Sequence, residues 1–529
     1  MNKKLQVWLP LIFALIMVVG MVFGYKLGNK HSSYKDFFRG NSSNSLQEAL
    51  YMIRNHYVDS VQIDSLQGKA IQEMMTELDP HSVYLPPVDL KEANEDLAGR
   101  FEGIGVEFNV FADTVNVVYV IPGGPSDQAG LQIGDKIIKV NNNPLTGRTF
   151  TSDEIKSYIR GEGGSQAALL LVRDGKQLSV SVTRGTIPVS SIDAAYMINN
   201  TTGYIKLAKF TDKSYAEFMA ALEMLQKEGM KSLVYDLRGN GGGFMNEAVE
   251  MADEFLSGDK LVVYTQGVNS SKKEYRCRRK GLFEEGKLVI LVDELSASAS
   301  EVLAGALQDW CRATIVGRRT FGKGLVQEQY PLSDGSALRL TTARYYTPLG
   351  RSIQRSYEKG RKVYMDELWE RFNSGEMLSA DSLKSHNGGQ KFTTSCRDTL
   401  FGGDGITPHV FVPFDTSHTI QKMIRMLNNN EMNSIVYNYY LGNKAQIDKY
   451  KTAAEYTAGF SGNDLWSMLV AKTNDSFRLK TVNAAERNMI QERLKALLAR
   501  YKWRNTGFFQ VLNNYDNGVK KALEVINSK

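Results

Sequence analysis

The sequence predicts a multidomain α/β chain with helical regions at both ends and a membrane helix in front. Three patterns carry that prediction. Residues 232–237 and 288–292 are short apolar runs that read as buried strands. Each ends in a turn of small residues, and the second leads into helical spacing over 302–310. Upstream, Val106, Phe108 and Val110 alternate as a half-buried strand does. From Thr419 onward apolar and charged positions recur at helical spacing, with Met489, Ile490, Leu494, Leu497 and Leu498 among Arg487, Glu492, Arg493 and Lys495. A chain of 529 residues with 42% hydrophobic and 23% charged content has room for three or four domains.

At the N-terminus, Lys3 and Lys4 precede an uncharged apolar run over 7–22, and the next charge is Lys26. That run is long enough to cross a bilayer, longer than the core of a cleaved signal peptide, and not closed by a small-x-small site. The expectation is an uncleaved signal anchor over 1–26 with the body outside the cytoplasm. Cleavage would instead release a secreted form, and Lys26 and Lys30 blunt the charge argument for orientation. A polar linker over 27–45 follows. Within a helical N-terminal region over 46–96, Leu46, Leu50, Ile53, Leu66, Ile71, Met74 and Met75 give helical spacing over 46–78, which ends at the turn signature Asp79-Pro80-His81-Ser82-Val83-Tyr84.

The chemistry-bearing pattern is Ser296-Ala297-Ser298-Ala299-Ser300-Glu301 followed by Phe321-Gly322-Lys323-Gly324. A helix starting at the serines offers free backbone N–H groups to an oxyanion. A serine hydroxyl needs a base, and a lysine serves only if burial lowers its pKa by roughly 2–3 units from ~10.4. Gly322 and Gly324 would let the backbone bring Lys323 close. The spacing alone fits equally well a small-residue helix start beside a turn lysine, and Ser296 or Ser300 could cap that helix. Asp236-Leu237-Arg238-Gly239-Asn240-Gly241-Gly242-Gly243 ends the earlier strand in a loop able to turn its amides toward one point. It lacks the third glycine of a dinucleotide fingerprint. The run 317–323 fits Gly-x4-Gly-Lys, but Gly324 stands where a phosphate loop has Ser or Thr.

The Ser296 to Gln308 run, Phe321-Gly322-Lys323-Gly324, Gln327 and the glycine loop resemble, in order, the carboxyl-terminal processing peptidases, which are tail-specific serine proteases. The resemblance spans about residues 46–413. It implies Ser298 as nucleophile, Lys323 as base and Gln327 to orient it, with the N–H groups of Gly243 and Ala299 as oxyanion hole; which glycine serves is left open. Asp236 and Arg238 would hold the loop. Gly103-Ile104-Gly105-Val106, with Pro125-Ser126-Asp127-Gln128-Ala129-Gly130-Leu131 and Ile133-Gly134-Asp135, resembles a PDZ domain over 97–184. Its loop would take a peptide's terminal carboxylate while the peptide adds as a strand. Residues near Ile104, Val106, Ile155 and Ile159 would take the last side chain. The resemblance implies a crotonase-like α/β catalytic core over 185–415, substrates with apolar C-termini, and a place at a bacterial inner membrane facing the periplasm. In such proteins the helical element before the PDZ domain often helps assemble subunits, so a homo-oligomer is expected on that ground; a packing helix is the plainer reading.

Residues 356–400 read as a polar insertion. Residues 416–529 read as a helical domain without a catalytic motif, its Tyr437, Tyr439, Tyr440, Trp466 and Trp503 as core, with a role in dimer contacts or substrate gating. Cys277, Cys311 and Cys396 allow one disulfide of unassigned pairing. Six scattered histidines give no metal site, no cofactor is implied, and a net charge of +6 gives no reason to expect nucleic acid. Two rival readings remain: a non-catalytic membrane-tethered PDZ scaffold, and a serine hydrolase using His81 or His409 as base.

Overall fold

A computed structural model describes residues 17–18, 20–21, 45–148, 150–384, 389–416, 430–473 and 479–528. The chain divides into two units, residues 1–78 and 79–529. The first contains helices α1 (Ser45–His56), with no buried residue, and α2 (Ile63–Thr76), which buries Met75 alone. Of the expected membrane segment only four positions lie within the described residues, among which no helix is long and apolar enough to cross a membrane.

The second unit opens with an antiparallel sheet in the order β1 (Val106–Phe111), β2 (Thr114–Val120), Lys136–Val140, Gln166–Arg173 and Lys176–Thr183. β1 is therefore an edge strand, and α3 (Ser152–Ile159) closes the domain over a core that includes Ile137, Leu171 and Ile155. Thr151 caps α3 by accepting the Glu154 N–H. Ile104 and Ile155, expected to meet a ligand side chain, are fully buried in this core instead.

The next sheet runs Ile192–Met197, Thr202–Leu207, β3 (Ser232–Asp236), β4 (Lys287–Val292), β5 (Thr314–Gly317) and Val410–Phe411, parallel after its first pair. Its strands are apolar on both faces because both are covered. Leu233, Tyr235, Leu288 and Ile290 face one helical layer. Val234, Val289 and Leu291 face the C-terminal helix, with the period of two that a strand imposes. α4 (Ala299–Asp309), on the first face, is buried along its whole length. It begins three residues before the expected helix because Ser298 serves as its N-cap. A third sheet pairs β6 (Leu325–Pro331) with β7 (Ala337–Tyr346), placing Gln327 opposite Thr341.

The described residues of the polar stretch 356–400 are tied into the core. α5 (Arg361–Asn373) buries Tyr364 and Arg371, and Arg371 donates to the carbonyls of Arg319 and Thr320. Cys311 and Cys396 form a disulfide, tying the end of α4 to the hairpin of Lys391–Thr393 and Thr399–Phe401, while Cys277 is free and buried.

The described part of the tail is helical and its aromatic residues are mostly core, as expected, but it does not stand apart. α6 (Asn430–Gly442) lies on the PDZ sheet, where Tyr437 donates to the Val117 carbonyl at 2.8 Å. α7 (Ala484–Leu512) is kinked at Arg504, and α8 (Asn517–Asn527) packs Val519, Ala522 and Ile526 on the parallel sheet. Lys287 Nζ donates to the carbonyls of Ile526 and Ser528 at 2.8 and 2.5 Å.

Candidate active site

β3, β4 and β5 are neighbours in register, with Asp236 opposite Leu291 and Val292 opposite Gly317. Their carboxyl ends therefore deliver the glycine loop, the serine turn and the lysine loop to one side of the sheet, where open parallel sheets place their sites. A cleft of about 570 Å³ is lined there by Gly241, Gly242, Gly243, Ser298, Ala299, Lys323, Gln327 and Tyr345.

The three serines separate cleanly. Ser296 and Ser300 are fully buried. Ser296 Oγ donates to the Leu237 carbonyl and Ser300 Oγ to that of Asn240, so both stitch the serine turn to the glycine loop. Ser298 alone lines the cleft, with φ 57° and ψ −115°, a conformation L-residues rarely hold.

The glycines answer to close packing. A Cβ on Gly242 would lie 2.7 Å from the Ala297 carbonyl oxygen and 2.8 Å from Ser298 Cβ. One on Gly243, at φ +144°, would lie 2.0 Å from the Phe210 oxygen. The Gly242 N–H donates to Asn240 Oδ1, whereas the N–H groups of Gly243 and Ala299 meet no hydrogen-bond acceptor among the described residues. Beneath the loop, burial pushes the Asp236 carboxyl up, but the charges of Arg238 and Lys206 more than offset this and hold it below the usual carboxylate range. Arg238 bonds both Asp236 oxygens and reaches Asp516, the N-cap of α8.

Lys323 is largely buried. Burial first, then the Arg339 charge, lowers its pKa against the opposing pull of Asp79 and Glu301. Its Nζ donates to Gln327 Oε1 at 2.9 Å, and Gln327 Nε2 donates to the His81 carbonyl at 2.5 Å. The His81 ring sits 2.8 Å from the Tyr364 hydroxyl, and burial together with the Lys323 charge lowers its pKa to about 3. His81 thus touches the site through its carbonyl, and its ring is engaged elsewhere. His409 Nδ1 accepts the Ile315 N–H and does not line the cleft. Neither histidine occupies a base's place.

Three contributors escaped the sequence reading. Glu301, fully buried, accepts four donors: Thr320 Oγ1 and the Gly322 N–H on Oε1, and the N–H groups of Ser298 and Lys323 on Oε2. Tyr345 brings its hydroxyl to the carbonyls of Ser298 and Lys323. Asp79 shapes the turn that presents His81, accepting the N–H groups of His81 and Ser82. A capping-box spacing, Ser298 to Glu301, was the one available signal for the first; the others depend on contacts across the fold.

Residues 201–360 match peptidase family S41, residues 117–173 match the PDZ domain, and residues 423–504 match a family of unknown function. The carboxy-terminal-processing protease of Bartonella bacilliformis is 32% identical over 360 residues, which is 67% of this chain and 81% of that relative. This chain belongs to the carboxyl-terminal processing peptidases of family S41. The carboxy-terminal processing protease CtpB of Bacillus subtilis is 33% identical over 327 residues, 60% of this chain and 67% of that protein. Among solved structures, the photosystem II D1 C-terminal processing protease aligns with 26% identity and a TM-score of 0.37, covering 70% of this chain and 94% of that one. As a member of this family the chain is a serine endopeptidase, and its PDZ domain binds peptide C-termini.

Proposed function

We propose that this S41 peptidase cleaves its substrates with a dyad of Ser298 and Lys323. The observation that carries the reading is the state of Lys323: desolvated, its pKa lowered, one N–H spent on Gln327, in the same cleft as Ser298. In this scheme neutral Lys323 takes the Ser298 proton and Ser298 attacks the scissile carbonyl. The N–H groups of Gly243 and Ala299 receive the oxyanion. Lys323 then gives the proton to the leaving amine and activates the water that frees the acyl-enzyme. Gln327 is a positioning residue in this reading, as is Glu301.

The substrate's C-terminus docks at the loop of Gly103, Ile104, Gly105 and Val106 and adds along the edge of β1, its last side chain against Val106 and Ile159, which line the groove there. The N-terminal apolar run serves as an uncleaved anchor that leaves the body outside the cytoplasm; the Cys311–Cys396 bridge suits an oxidising compartment. Exposed Leu46, Tyr51 and Met52 on α1 support self-association of the helical region.

The test compares the chain with Ser298→Ala and Lys323→Ala on a protein ending in an unstructured apolar tail. Cleavage by the unaltered chain alone is the expected result. Cleavage by Lys323→Ala at an unchanged rate would remove the dyad. Binding without cleavage by all three would leave a PDZ scaffold.

A further inference from the structure

The PDZ groove has a wall that does not belong to the PDZ domain. A cavity of about 490 Å³ lies between β1 and α3, and its third side is α7, through Leu497, Arg500, Tyr501 and Arg504. The apolar floor comes from Val106, Phe108 and Ile159. Of the cations around it, Lys156 pairs with Asp153 and Arg160 with Glu95, which leaves Arg500 and Arg504 sharing Glu107 alone.

Arg504 is held there at a cost in backbone conformation. It sits at φ 56°, ψ −151° at the kink where the two helical stretches of α7 meet, a region nearly reserved for glycine. So placed, its guanidinium stacks 3.5 Å from the Tyr119 ring centroid and pairs with Glu107, which also lies 3.8 Å from Arg500. Glu107 follows directly on the carboxylate loop, so these arginines stand beside the last few residues of any strand added to β1. Both arginines remain partly exposed, at 47% for Arg500 and 31% for Arg504, and within reach of a ligand.

Resting on the reading of this groove as the tail-binding site, we infer that α7 completes it and selects tails with an acidic side chain among the three residues before an apolar terminal one. Glu107 is the internal acid that occupies the arginines until such a tail arrives.

The test uses the full chain carrying Ser298→Ala, so that ligands stay intact, and fluorescent decapeptides differing only in Glu or Gln at those three positions. The Glu peptide is expected to bind about fivefold more tightly at low salt, the scale of partly exposed ion pairs. Arg500→Gln and Arg504→Gln should each reduce that preference while leaving affinity for the Gln peptide in place. Glu107→Gln should increase it, because a competitor is gone; a merely structural pair would give the reverse. Arg500→Gln lies in regular helix and keeps the test valid if Arg504→Gln does not fold. Equal binding of both peptides, or a preference untouched by Arg500→Gln, would overturn the inference. Binding of neither peptide would instead remove the tail-binding reading of the groove.

Discussion

Ser298 and Lys323 hang from one oxygen: the backbone N–H of each donates to Glu301 Oε2 at 2.9 Å. The serine turn and the lysine loop are thereby fixed relative to each other by a buried carboxylate with all its acceptor sites filled. A Gln at this position keeps the shape but turns an NH2 group toward two donors. Glu301→Gln is expected to cost roughly 1–3 kcal/mol for each donor left unpaired in the interior. Calorimetry and kcat should fall together while peptide binding at the PDZ groove persists. Unchanged kcat would show that the dyad is held by other means.

The pH profile follows from the burial of Lys323. The base acts neutral, and desolvation lowers its pKa from the ordinary lysine value. Activity should therefore rise with pH through that lowered value and level off above it. A limb sitting at ~10.4, the ordinary lysine value, would contradict a desolvated base. Lys323→Arg, which cannot deprotonate, should lose roughly 10²–10⁴-fold in kcat as the general base is lost.

Gly242→Ala probes the serine turn from the opposite loop. The new Cβ meets the Ala297 oxygen at 2.7 Å and Ser298 Cβ at 2.8 Å, both backbone or near-backbone atoms that yield little. Loss of kcat by roughly 10²–10³-fold, the scale of a damaged oxyanion hole, is expected with KM less affected. Wild-type turnover would mean that the two loops move apart freely.

Acid should weaken the fold through His81. Its folded pKa is about 3 against an ordinary 6.5, so between those values the unfolded chain binds a proton that the folded chain refuses. The contribution is complete above 6.5 and is lost as pH falls toward 3. His81→Gln should flatten the decline in Tm over this window relative to the parent. Parallel Tm curves would count against it.

The disulfide closes a separation of 85 residues, for which chain-entropy arguments give about 4–5 kcal/mol. Cys311→Ser, or reductant, should lower the urea midpoint accordingly, and Cys277→Ser should not reproduce the effect through bridging.

Much of this was legible in the sequence, for a stated reason. Strand runs such as 288–292 are short, wholly apolar and punctuated by small residues, so their burial and their ends could be read directly. Which of three serines faces the cleft came only from the family resemblance, because nothing in the local residue pattern separates Ser298 from Ser296 and Ser300, whose hydroxyls reach carbonyls on another loop. Ile104 read as ligand-facing because it belongs to the carboxylate loop, yet its side chain turns into the PDZ core. Residues 356–400 read as an insertion because their charges suggest solvent. Arg319 and Arg371 in fact both donate to the Glu376 carboxylate in the interior. Helical spacing announced the tail but not its two docking faces, since amphipathic periodicity says that a face is covered and not by what.

Residues 517–527 are wound into α8, seated on the parallel sheet, and the carbonyls of Ile526 and Ser528 are gripped by Lys287. A segment in that state cannot extend into a β-strand without first being pulled off the hydrophobic layer it helps to build. Losing this helix would bare Val234, Val289 and Leu291 on the sheet and take away the Asp516 partner of Arg238, so the glycine loop would loosen with it.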